Sequence, residues 1–125
     1  MSDIRATTIS ALNGTDPITL TKQSAAKAWV NINGDGTISI RNSVNTSSIV
    51  DLSTGNYGQN FTSNFDANDN YSTQSTADDE SWGSKTSVNH QNVSQARIQI
   101  FQGSANTNSG VDTYRAMMTH HGDLA

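Results

Sequence analysis

The run Asn31-x-Asn33-x-Asp35-Gly36 puts oxygen-bearing side chains at alternate positions ahead of a glycine, as a calcium-binding loop does at its start. Such a loop closes with a bidentate Glu at its twelfth position, and here that position is Asn42. One carboxylate among the side-chain ligands holds a divalent cation feebly, so the run reads as a glycine hairpin with no metal. Asp66, Asp69, Asp78, Asp79 and Glu80 offer further hard oxygens, but in so polar a stretch they read as solvated loop residues. His120 and His121 are imidazole ligands by type, with His90 far upstream. Neighbours on a strand point to opposite faces, so this pair is badly placed to chelate one ion and reads as exposed or interface histidine.

Covalent and acid–base chemistry fares no better. There is no cysteine, hence no thiolate and no disulfide framework. No Gly-x-Ser-x-Gly elbow, no glycine-rich phosphate loop ending in Lys-Ser or Lys-Thr, and no carboxylate within an apolar run occurs. The expectation is a protein that is not an enzyme and carries no cofactor. Aromatic rings offer a different chemistry, because faces with polar neighbours stack on sugars. Of Trp29, Trp82, Tyr57, Tyr71 and Tyr114, the candidates for glycan contact are Trp82 and Tyr71, whereas Trp29 reads as the anchor of a core or a subunit interface.

The elements that hold these residues must come from a lean chain. Its 125 residues suffice for one domain, yet only 33% are hydrophobic and 6% aromatic. Charge does not replace the missing apolar residues, at 14% charged and a net of −4; the excess is Ser, Thr and Asn, which suit turns and polar β-surfaces better than disorder. A core this thin is most simply completed by association with further copies. The seven basic residues are scattered in an acidic chain, against a nucleic-acid partner. No apolar run approaches membrane-helix length, and MSDIRATTIS has neither the basic leader nor the apolar stretch of a signal peptide, so a soluble, non-membrane protein is expected.

Residues 1–25 read as an arm, with irregularly spaced apolar residues and a short alternating segment, Ile18-Thr19-Leu20-Thr21. The clearest signal follows: Ala28 to Asn33, a Gly34-Asp35-Gly36 loop, then Thr37 to Arg41. Pairing Asn33 with Thr37 sets Ile32 opposite Ile38 and Val30 opposite Ile40, with Gly36 supplying the left-handed residue. Val44 to Leu52 and Tyr57 to Phe61 read as strands around Gly55-Asn56. From Thr62 to Asn92 long loops are expected, anchored by Phe65, Tyr71, Trp82 and Val88, with irregular strand near Tyr71 and Val88. Ala96 to Gln102 alternates as a strand. Around Tyr114 to Met118 periodicity fits helix and strand equally.

The stretch Ala26-Lys27-Ala28-Trp29-Val30-Asn31, its Gly34-Asp35-Gly36-Thr37 turn, Ile40-Arg41, Ser47-Ser48-Ile49, and then Gly55, Tyr57 and Asn60-Phe61 resemble a module of tailed bacteriophages, especially those of marine bacteria, described as tail-fibre or virion structural proteins. Phe65-Asp66-Ala67-Asn68 before Tyr71, and Arg97 to Ile100 with Val111-Asp112 and Tyr114 onward, resemble its later strands. Two departures are Gly58-Gln59, where the module tends to alternate an apolar residue, and the very polar Ser72 to Ser81. The resemblance implies that Trp29, Asn31, Gly34, Gly36 and Arg41 are structural motif residues, that the Tyr114 region is strand, and that the protein is trimeric.

The expected fold is therefore all-β, an antiparallel, jelly-roll-like β-sandwich over residues 26–125 with an extended N-terminal arm over 1–25. The expected function is that of a non-enzymatic virion structural protein, a homotrimeric surface module of the capsid (decoration or head fibre) or of the tail (tail fibre or tail-associated protein), with itself and other virion proteins as partners. A glycan-binding module for host-cell attachment is the alternative.

Overall fold

The computed structural model describes residues 25–78, 84–102 and 109–125. They form eight strands, β1 Ala28–Asn33, β2 Ser39–Val44, β3 Thr46–Ser53, β4 Asn56–Phe61, β5 Tyr71–Asp78, β6 Ser84–Asn92, β7 Gln95–Gln102 and β8 Arg115–Gly122. Every pairing is antiparallel, in two four-stranded sheets ordered β2-β1-β8-β5 and β3-β4-β7-β6. Strict alternation creates the core: Val30 and Ile32 of β1, Ala116 and Met118 of β8, Tyr57 of β4, and Ile98 and Ile100 of β7 turn inward from the two sheets. A second cluster at one end holds Ala28, Phe61, Phe65, Tyr71 and Ala96. The all-β antiparallel sandwich is thus as read from the sequence. Its winding differs from a jelly roll, which changes sheet at nearly every connection, because β1–β2, β3–β4 and β6–β7 are hairpins inside one sheet. The arm falls outside the described residues, as do Asp79, Glu80 and Trp82.

The first hairpin forms with a different register. Asn33 pairs with Ser39 and Ile32 with Ile40, so the loop is two residues longer than the simple pairing rule gives, and Ile38 lies within it against the core. Beyond that point the register slips: Asn31 pairs with Asn42, leaving Arg41 as a bulged residue. Gly36 takes the left-handed conformation, φ 67°, as expected. Asn45, φ 54°, turns the chain from β2 in one sheet to β3 in the other, and its amide bonds both Ser63 N and Ser63 O.

The expectation of long loops between Thr62 and Asn92 fails where β5 and β6 form strands of eight and nine residues, while the irregular strand expected near Val88 is found, since β6 slips register between Val88 and His90. Between Tyr71 and Ala77, which face the core, the inward positions of β5 carry hydroxyl side chains that find partners on β6 along the seam where the two sheets meet. Ser75 Oγ bonds Thr86 Oγ1 at 2.9 Å, and Thr73 Oγ1 bonds Gln91 Oε1 at 2.8 Å. A hydrophobic period is absent there because satisfied polar groups take the place of apolar ones.

Candidate functional site

Gly34 sits where three segments converge. Its N–H donates to Thr113 O at 2.9 Å and its carbonyl accepts from the Tyr57 hydroxyl at 3.0 Å. The same hydroxyl lies 2.8 Å from Asp112 Oδ1, which also accepts the Gly55 N–H at 2.8 Å. One phenol and one carboxylate thereby join the β1–β2 loop, the β3–β4 turn and the approach to β8. Burial, then the bond to the Asp112 carboxylate, push the Tyr57 hydroxyl well above the usual tyrosine range, so it is a permanent donor. Tyr57→Phe is expected to lower unfolding stability by about 1–2 kcal/mol, the effect of stripping a buried carbonyl and a carboxylate of their donor. Urea denaturation measures this, and an unchanged midpoint would contradict the role.

Arg41 covers the outside of this junction. Its guanidinium donates to Asn33 Oδ1 and Tyr114 O, both at 2.9 Å, and lies 4.2 Å from the Tyr114 ring centroid. Asn33 in turn donates to Asp35 O at 3.2 Å. A cation site at Asn31, Asn33 and Asp35 would have a guanidinium on one of its oxygens. Among the described residues no three His, Asp or Glu side chains gather as metal ligands. Of the acidic group, Asp66 accepts from Asn70 at 3.1 Å, while Asp78 pairs with Arg115 at 3.5 Å.

His120 corrects the reading of the terminal histidines. It is fully buried, on the inner face of β8, with edge contacts to the rings of Phe61 and Tyr71. Its Nδ1 lies 2.9 Å from Thr73 Oγ1 and its Nε2 2.9 Å from Gln59 Oε1. Thr73 donates its proton to Gln91 Oε1, and the Gln91 amide nitrogen is occupied by Tyr71 O and Asn68 O, so Nδ1 must carry a hydrogen. If Gln59 presented only its carbonyl, Nε2 would need a proton too. Burial, followed by the charge of His121, opposes this and pushes the imidazole down to about 4. A neutral ring instead selects the opposite Gln59 amide orientation, with NH2 toward Nε2 and the carbonyl toward the Thr46 hydroxyl, 2.8 Å from that amide. Gln59, whose polarity departs from the resembled module, is therefore His120's partner across the core.

Tyr71 is also a core residue, not a glycan contact. It is stacked on Phe65 with ring centroids 4.0 Å apart, and its hydroxyl donates to Asn92 O at 2.8 Å. Burial pushes that hydroxyl up to about 12. Trp29 points the other way from the core, onto the outer face of the β2-β1-β8-β5 sheet, where it is half-buried. It stands in a cross-strand row with Val44, Thr119 and Gln74. The next row is Asn42, Asn31, Met117 and Thr76. A shallow groove beside Trp29 is lined by Gln74, Ser75, Thr76, Met117 and Thr119. The alternation of β1 carried the signal for this surface, since Trp29 and Asn31 share the parity opposite to Val30 and Ile32.

No protein-family model, curated protein or solved structure matches the chain.

Proposed function

We propose that the chain is a non-enzymatic structural module of a tailed-bacteriophage particle, assembled as a homotrimer, with residues 1–25 as the arm that attaches it to other virion proteins. The observation that carries this reading is what the motif residues of β1, β2 and their loop do. Gly34 gives its backbone groups to Thr113 and Tyr57, and Arg41 gives its guanidinium to Asn33 and Tyr114, so the motif builds a rigid hairpin instead of lining a cleft. Assembly has a place to occur. Among the described residues the adjoining strands β2 and β3 are outer strands of their sheets, and Ile40 and Leu52 on them are 38% and 39% exposed. Particle location, on capsid or tail, follows from the attachment of the arm.

Size-exclusion chromatography with light scattering is expected to return three times the 13.4 kDa chain mass. Antibody labelling of purified particles is expected to place the protein on the virion surface. A clean monomer, or unlabelled particles, would count against the proposal.

A further inference from the structure

We infer that the outer face of the β2-β1-β8-β5 sheet is a binding site for a neutral oligosaccharide, centred on Trp29. Three observations converge there. The two rows that flank the groove contain no charged side chain; charges begin beyond them, at Arg115 and Asp78 on one side. A face without charge matches a ligand without charge. Within the rows, Trp29 is partly exposed, while Thr119 and Gln74 of its own row and Thr76 of the next bring hydroxyl and amide groups to the groove beside it. Stacking on the apolar face of a pyranose, combined with hydrogen bonds to its rim of hydroxyls, uses that arrangement.

The third observation is an unmet acceptor. Among the described residues, Asn31 Oδ1 is the one buried side-chain polar atom with no hydrogen-bond partner. Such atoms are rare because leaving one unpaired is unfavourable, and they mark places where a partner is missing. Its cross-strand neighbour in the row is Met117, whose unbranched side chain is easily displaced. A sugar hydroxyl pressed onto the face donates to Asn31 Oδ1 as Met117 yields.

A second copy of the chain is the competing occupant. It fits less well, because the apolar residues of the face, Val44, Trp29 and Met117, are interrupted by amides and hydroxyls, whereas the centres of homo-oligomeric interfaces are more continuously apolar. The site requires neither the trimer nor the particle assignment. It also moves sugar contact away from Tyr71, which the core occupies.

The test is an array of neutral oligosaccharides (glucans, N-acetylchitooligosaccharides and galactans) probed with the full chain, followed by titration calorimetry on the best ligand. Binding is expected to weaken about tenfold in Trp29→Ala, by loss of stacked area. A several-fold loss is expected in Gln74→Ala and in Thr119→Val. Val88→Ala, an exposed position on the other sheet, should bind as the native chain does. Circular dichroism checks that each variant is folded, and Thr119→Arg, which blocks the face with an exposed charge, serves if Trp29→Ala does not fold. A blank array overturns the proposal, as does a ligand whose affinity survives both Trp29→Ala and Thr119→Arg. Loss of oligomerisation in those variants without sugar binding by the native chain assigns the face to a second copy and overturns it equally.

Discussion

Gly34→Ala is expected to destabilise the protein by about 3 kcal/mol or more, the largest effect of any single methyl group in the hairpin. A Cβ at this position would lie 2.5 Å from the Tyr57 hydroxyl, 2.7 Å from its Cζ and 2.9 Å from Thr113 O. All three distances are far inside van der Waals contact, and none of the three atoms is free to swing aside. Tyr57 is fully buried, with its hydroxyl held by Asp112, and Thr113 O accepts the Gly34 N–H itself. Relief requires the β1–β2 loop to lift, which breaks the hydrogen bonds at both Gly34 N and Gly34 O. Domains of this size have about 5–15 kcal/mol in total, so the variant is expected to unfold at a visibly lower urea concentration. The alanine should be less damaging in a Tyr57→Phe background, where the closest atom is gone. A double-mutant cycle showing no coupling would mean that the two residues do not meet as described.

Acid is expected to weaken the fold through His120. The imidazole is neutral in the folded chain, its pKa held at about 4 by burial first and by His121 second, against an ordinary value of 6.5. Between those values the unfolded chain binds a proton that the folded chain refuses, so stability falls as pH falls. The contribution is intact above pH 6.5 and is lost progressively down to about pH 4, for a total of about 3 kcal/mol. Rotation of the Gln59 amide can restore a hydrogen bond to the imidazolium, but the ring's lost hydration has no replacement among Phe61, Phe65 and Tyr71. Unfolding free energies measured from pH 7 to pH 4 should show this slope. In His120→Gln, which keeps hydrogen-bonding capacity without the titration, the slope over that window should flatten. An equally steep slope in the variant would place its origin elsewhere.

Both effects bear on how far the sequence alone could be read. Alternation in Ala28 to Asn33 and in Ala96 to Gln102 announced β1 and β7, because these strands place aliphatic residues on one face and polar residues on the other. Gly36 announced its left-handed turn, because few other residues adopt that conformation without strain. By contrast β5 and β6 were legible only as irregular strand near Tyr71 and Val88. Thr73, Ser75, Thr86 and Gln91 point inward as polar residues satisfied by one another, and such pairing runs from one sheet to the other, which no local period records. His120 was misread because its setting was judged from the His120-His121 pair alone, while its partners Gln59 and Thr73 lie far away along the chain.

What the residues determined unaided is the β-rich character and the parity of the strongest strands, since both follow from local pattern and backbone sterics. Which parity faces the core of a sandwich, and therefore whether Trp29 or Tyr71 is available to a ligand, only the tertiary structure decided. Tyr71 is buried because Phe65 stacks on it, and Trp29 is left outside because Val30 and Ile32 meet the opposing sheet. Those contacts join segments whose proximity no local pattern encodes.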